Sequence, residues 1–208
     1  MKYAQLVAEP YCARLALKTP PATEPVSVAE LMTHSRIDNG DEGPYLAALI
    51  TASRQWIEQY LGRQLITATW TMRLDAFPMD DEFELPRAPL LAAPAPIVQY
   101  YDSNRVQQTV AAATYNVHTF AGPEAGPGFI ELASGNAWPS VYLGEGAVQI
   151  EFAAGYGAGV SDVPAQIRQA ILMHAAEMYE RREQVVVGTI SSPVAITVER
   201  LLWPLRVF

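Results

Sequence analysis

One cysteine, Cys12, in 208 residues leaves no material for an intramolecular disulfide or a thiolate metal cluster. Histidine is nearly as scarce. His34, His118 and His174 stand at no metal-ligand spacing from one another or from a carboxylate, and neither H-E-x-x-H nor H-x-H occurs. No serine lies in a G-x-S-x-G elbow, and Cys12 is far in sequence from every histidine, so a nucleophile triad has no local support. No run reaches 18 apolar residues, which argues against a transmembrane helix. The stretch MKYAQLVAEPYCARLALK lacks the continuous apolar core and cleavage signal of a secretory peptide. Basic charge is also short: 14 Lys and Arg face 22 Asp and Glu, a net −8. Seventeen of the acids and nine of the bases precede Asp162, with five of each from there on. Without a basic stripe, tight binding to a phosphate backbone is not expected. The expectation is a soluble, intracellular chain with no catalytic residues, no metal and no cofactor.

Hydrophobic residues make up 50% of the chain, enough for a substantial core. The 16 prolines and 13 glycines gather between residues 78 and 96 and between 122 and 159. A helical part interrupted by a turn-rich β part follows from that distribution. The strongest helical signal is DVPAQIRQAILMHAAEMYERR, Asp162 to Arg182. Asp162 reads as its N-cap and Pro164 falls in the first turn. Ile167, Ile171, Leu172, Ala175, Met178 and Tyr179 recur at helical spacing on one face. Arg168, Glu177, Glu180, Arg181 and Arg182 populate the other, the face predicted to meet a neighbouring subunit.

Residues 1–24 end in Thr19-Pro20-Pro21 and read as a peripheral arm. Ser27 and Glu30 have capping-box spacing, predicting a helix over about 28–36. A second amphipathic helix over about 44–61 has Pro44 in its first turn, an apolar face including Leu46, Ile50, Ile57 and Leu61, and a stop at Gly62. Trp56 and Tyr60 are read as packing residues between the two long helices. The period then changes to two: Trp70, Met72 and Leu74 alternate with Thr71, Arg73 and Asp75. Further strands are predicted around Phe83–Leu85, in a hairpin turning at Asp102–Arg105, and in TYNVHTF, GFIEL and VQIEFAAGYG, so that a β insertion covers about 65–153. The long helix is expected over about 163–184. Behind it come two short β-prone runs around Gly188 to Pro193 and an apolar terminus. The predicted fold is α+β: a small bundle of about three helices with an inserted antiparallel β region and an extended C-terminal arm. The connector domain spans 25–187 and the arm 188–208.

Two ligand sites merit weighing. Gly155-Tyr156-Gly157-Ala158-Gly159 precedes a helix, where backbone N–H groups bind phosphate. Its spacing is G-x-G-x-G, it lacks a Walker lysine, and Asp162 would repel an anion, so a tight strand-to-helix connection is the better account. Trp70, Tyr100, Tyr101 and Trp138 would line a pocket if the β insertion served as a binding module, although strand aromatics are more often core. His174 reads as a packing or interface histidine, and Asp80-Asp81-Glu82 as a solvated turn.

In order and spacing, EPVSVAELMTHSRID, EQYLGRQLITATW, RLDAFP, LPRAPL, VQYYD and AGYG…DVPAQIRQAILMHAAEMYERRE over residues 24–187 resemble the head–tail connector (adaptor, or head-completion) proteins of long-tailed bacteriophages and gene transfer agents. The resemblance implies a structural virion component at the neck. It would form a ring, twelvefold like the portal, that extends the DNA channel and presents a platform for tail attachment. Implied partners are the portal protein, the next tail or stopper protein and further copies of the chain. Double-stranded DNA would pass through the lumen without tight binding, and no membrane is involved. The resemblance also makes the C-terminal arm the portal hook, through Val194, Ile196, Val198, Leu201, Leu202, Trp203 and Phe208. Deletion of Val194 to Phe208 should then abolish portal attachment and leave the domain folded. Burying about 800 Å² per subunit contact contributes on the order of 20 kcal/mol gross, against roughly 4–15 kcal/mol for association. With acidic subunits repelling one another, a free monomer that assembles on the portal is expected. The alternatives are a tail terminator or stopper ring, or a binding module.

Overall fold

The computed structural model describes residues 13–142, 144–181 and 194–207. Its first helix, α1 (Val28–Ser35), begins where the capping box predicts. The Ser27 hydroxyl accepts from the Glu30 N–H at 3.2 Å, and the Glu30 carboxylate accepts from the Ser27 N–H at 2.7 Å. α2 (Gly43–Leu61) carries Pro44 in its first turn. It stops at Gly62, whose φ of 68° sits in the left-handed region that glycine enters without Cβ strain. α3 (Ala165–Glu180) packs along α2, burying Ile167, Ala170, Ile171 and Ala175 against Leu46, Ile50, Ile57 and Leu61.

Asp162 is not the cap of α3. Residues Val160–Asp162 form a separate 3-10 turn, and the Asp162 carboxylate turns back to accept from the Gly159 N–H at 2.8 Å. The chain then crosses Val163 and Pro164 in extended conformation before α3 starts. Pro164 has an extended ψ of 134° and serves as the N-cap, so the helix begins one residue after it.

Between α2 and α3 lie β2 (Ala68–Leu74), β3 (Glu82–Leu85), β4 (Ile97–Tyr101), β5 (Gln107–Thr109), β6 (Tyr115–His118), β7 (Gly128–Leu132) and β8 (Val148–Ala154). Together with β1 (Arg14–Thr19) they form two sheets ordered β1-β2-β8-β4-β5 and β3-β7-β6, and every pairing between these strands is antiparallel. The first of these, β1, comes from the N-terminal segment. It pairs with β2 as an edge strand, so residues 14–19 of the expected arm belong to the sheet, while residues 1–12 lie outside the described residues. Six residues of ordinary strand length gave no alternation strong enough to reveal it, because an edge strand buries little: Ala16 to Thr19 are exposed.

Register decides which face is core. Trp70 lies opposite Phe152, Met72 opposite Ile150 and Leu74 opposite Val148, while Val98 continues the row from Ile150. This face, with Leu85, Ile130, Tyr115 and Phe77 beneath it, forms a second hydrophobic core separate from that of the bundle. Arg73, Gln149 and Gln99 fall in register on the other, solvated face. The fold is thus mixed α+β, with four helices and two antiparallel sheets among the described residues.

The fourth helix corrects the expected extended terminus. α4 (Val194–Leu202) and a 3-10 turn (Trp203–Leu205) pack against α3, with Val198, Leu202 and Leu205 wholly buried in the bundle core. Fully burying three such side chains contributes about 5–9 kcal/mol, of the order of a whole domain's stability. Deleting Val194 to Phe208 would therefore unfold the bundle instead of leaving it intact. The β-prone runs around Gly188 to Pro193 lie outside the described residues.

Candidate assembly surfaces

Where bundle meets sheet, polar side chains replace apolar ones. Arg54, buried on α2 one turn after Ile50, is tied to Glu24 at 2.7 Å and to Glu58 one turn on at 2.7 Å. The other oxygen of Glu58 accepts from Gln64 Nε2 at 2.6 Å and from the Leu65 N–H at 3.1 Å. Gln64 in turn accepts from the Trp70 indole at 3.1 Å. Burial pushes the Glu58 carboxyl up, opposed by Arg54 and the Leu65 N–H. An open groove of about 380 Å³ beside this network is lined by Pro20, Pro21, Gln55, Gln59, Trp70 and Arg87. Arg87 lies over the Trp70 ring at 5.0 Å. Arg54 and Glu58 at the floor of the groove are already paired within the chain, so it is built as a joint and not as a receptor.

The aromatic residues considered as a pocket do not converge. Trp138 stacks on Phe77 at 4.7 Å and Tyr100 tilts against the same ring at 6.2 Å, inside the sheet core. Tyr101 is on the solvated face and Trp70 at the joint. The glycine-rich turn is closed as well. A Cβ on Gly157 would stand 2.1 Å from the Asp162 carboxylate, which fills the space an anion would need.

On α3 the residues expected to meet a neighbouring copy are partly engaged at home. Arg168 reaches across to Glu30 of α1 at 3.0 Å, and Arg181 pairs with Glu177 one turn back at 3.2 Å. Glu180 and Arg181 are exposed at the end of the helix, and Arg182 lies outside the described residues. Beside them runs a ladder of flat groups. His174 stacks on Trp56 at 4.7 Å, Trp56 on Tyr60 at 5.4 Å, Arg206 over Tyr60 at 5.1 Å and over Trp203 at 6.0 Å. Its inner end is held by His174 Nδ1 and the Ser53 hydroxyl, 3.0 Å apart, and burial lowers the pKa of His174. Its outer end is Trp203, 56% exposed.

The C-terminal residues expected to hook the portal therefore divide. Val198 and Leu202 face the core, Leu201 is half-buried and Trp203 points outward. Val194 and Ile196 belong to the first turn of α4, and Phe208 lies outside the described residues. Arg63 was invisible to sequence reasoning. It follows the helix stop directly, yet is 2% exposed and donates to the carbonyls of Leu205 and Ala125 at 2.5 and 2.6 Å. The one signal for it is an arginine directly after the helix stop, two residues ahead of the apolar pair Leu65 and Ile66.

Among the described residues, no group of three or more His, Cys, Asp or Glu side chains could hold a metal. No described helix is long and apolar enough to cross a membrane.

No protein-family model matches the chain, and no curated protein does. Solved structures do. Over 94% of this chain and 96% of the other, it is similar at 27% identity and a TM-score of 0.73 to a chain of the neck of an empty gene transfer agent particle computed with C6 symmetry. A chain from the virion of a native gene transfer agent particle matches at 26% identity, with 93% and 95% covered and a TM-score of 0.73. A chain from the neck of the native particle computed with C12 symmetry matches at 25% identity, with 94% and 96% covered and a TM-score of 0.74. From the edge strand to the terminal helix, this chain is built like a chain of a gene transfer agent neck.

Proposed function

We propose that this protein is a non-enzymatic structural component of the neck of a gene transfer agent or long-tailed phage particle. Its copies form a ring between portal and tail that extends the DNA channel. The observation that carries this reading is the end-to-end match to chains of gene transfer agent necks, which at 94% coverage takes in both the bundle and the β insertion. The C12 and C6 symmetries of those necks favour a ring, with twelve copies as our reading. A net charge of −8 per copy suits a channel through which DNA slides without sticking.

Within that ring, the exposed end of α3, around Glu180 and Arg181, is the surface we assign to the neighbouring copy. The C-terminal segment is assigned to the portal, but its burial narrows the contact. With α4 seated, Trp203 and the outer edge of Leu201 are what it offers; the whole segment engages only if it leaves its own core. Because an exposed indole contributes little to folding, Trp203→Ala separates binding from stability. Purified wild-type chain mixed with a purified portal ring should co-migrate with it on size exclusion, and Trp203→Ala should weaken that association at least tenfold while unfolding at an unchanged midpoint. If wild-type chain ignores the portal ring and binds the tail tube, a terminator or stopper position replaces the portal-adjacent one.

A further inference from the structure

Arg63 sits where three parts of the chain meet, and no carboxylate among the described residues forms an ion pair with it. Besides the Tyr156 hydroxyl, its acceptors are two backbone carbonyls from segments remote from it and from each other. Nε donates to Leu205 in the C-terminal turn at 2.5 Å, and Nη1 donates to Ala125 in the loop between β6 and β7 at 2.6 Å. Tyr156 stands beside it and donates to Pro123 of the same loop at 2.7 Å.

The two segments differ in what else holds them. The tail has its buried Leu202 and Leu205, and a hydrogen bond from the Val207 N–H to the Leu61 carbonyl at 2.9 Å, which satisfies an orphan acceptor at the end of α2. The loop has little beyond Arg63 and Tyr156. Phe120 is 46% exposed, residues 121–124 are exposed, and the loop borders an open depression of about 450 Å³. Ala125 closes a local turn, donating to the Gly122 carbonyl at 3.2 Å.

A guanidinium is a rigid planar fork, and its Nε–H and Nη1–H donors lie on different edges of that one plane. Tail and loop are thus held on different edges of one rigid, buried cation. Once the tail leaves, Nε–H loses its carbonyl and that side of the guanidinium opens to water; the rigid plane is then free to turn toward the opening, taking Nη1 away from Ala125. By linkage, loosening the loop loosens the tail by the same factor.

We propose that Arg63 couples the C-terminal segment to the 120–126 loop, so that a partner drawing the tail off its core releases the loop at the β end of the molecule. Use of that coupling to report portal engagement to the next neck protein rests on the function proposed above. The coupling itself rests on contacts within one chain, and is testable without any partner.

The test is amide hydrogen exchange on the full-length chain in four forms: wild type, Leu205→Ala, Arg63→Met and the double variant. Leu205→Ala loosens the tail without touching the loop. It should raise exchange in peptides covering 203–207 and also, roughly tenfold or more, the equilibrium equivalent of one charged hydrogen bond, in peptides covering 120–127. In the Arg63→Met background the loop should already exchange fast, and adding Leu205→Ala should leave it unchanged. Exchange across β8 reports on global folding and should stay constant. If Arg63→Met does not fold, Arg63→Lys keeps the charge but cannot bridge both carbonyls, and should abolish the coupling in the same way. Loop exchange that ignores Leu205→Ala, or that rises equally with and without Arg63, overturns the proposal.

Discussion

Replacing Arg54 by methionine tests whether the joint between bundle and sheet is held by charge. Arg54 is 8% exposed and is shared by Glu24 and Glu58. Methionine retains most of its aliphatic volume and removes only the cation. Glu24 is about one-third exposed and can return to water, so the loss there is small. Glu58 cannot: at 7% exposure it is left as a buried carboxylate with two neutral donors, Gln64 and the Leu65 N–H. Removing one partner of a buried pair costs about 3–5 kcal/mol, and the two surviving hydrogen bonds put this case near the lower figure. At this chain length each kcal/mol lowers the melting temperature by about 2–4 °C, so a drop of about 6–12 °C is expected near neutral pH. The sign of the pH dependence is fixed. Burial already raises the Glu58 pKa above its unfolded value of 4.5, and losing Arg54 removes the largest influence holding it down. The folded variant therefore binds a proton more readily than the unfolded chain. Its penalty is full above the raised folded pKa and shrinks as pH falls toward 4.5. Urea unfolding of both proteins at pH 8 and pH 5 measures this; Glu30 and Asp75 titrate alike in the two and cancel. A destabilisation under about 1 kcal/mol at pH 8, or one that grows at pH 5, would refute the reasoning.

Two further outcomes follow from local geometry. Gly155 has φ 138°, and a Cβ there would stand 2.7 Å from the Thr67 backbone nitrogen, so Gly155→Ala should cost more than about 2 kcal/mol. Gly126→Ala, whose Cβ would meet nothing within 4 Å, should be neutral by the same thermal assay. His174 is kept neutral by burial against Trp56, with Glu177 the nearby charge that opposes this. Its folded pKa lies below the unfolded 6.5, so wild-type stability declines as pH falls below 6.5 and the unfolded chain takes the proton. His174→Gln should flatten that part of the stability–pH curve; an unchanged slope would assign it to other groups.

The elements themselves were legible in the sequence because each is specified by neighbours a few residues away. Ser27 with Glu30 sets the start of α1, Pro44 and Gly62 bracket α2, and the period-two run from Trp70 to Leu74 marks β2. The lack of catalytic spacing, the acidic balance and the order of motifs pointed toward a neck component for the same reason. What the sequence could not show are groups whose meaning lies across the chain. β1 is an edge strand with its last four residues exposed, so its apolar content carries no pattern, and only pairing with β2 makes it a strand. Asp162 has the composition of a helix cap but serves the glycine turn behind it. The apolar terminus could equally have been a free arm or part of the core. Covering Val198, Leu202 and Leu205 removes apolar surface from water, and whether such a surface exists within reach is settled by how α2 and α3 pack. Arg63 is the extreme case. A lone arginine next to a helix stop is ordinary in sequence, and its two carbonyl partners lie 62 and 142 residues away. Local rules of capping, periodicity and turns act over one or two turns of chain, whereas the burial of a charge and the choice between arm and core depend on contacts that exist only once the tertiary fold has formed.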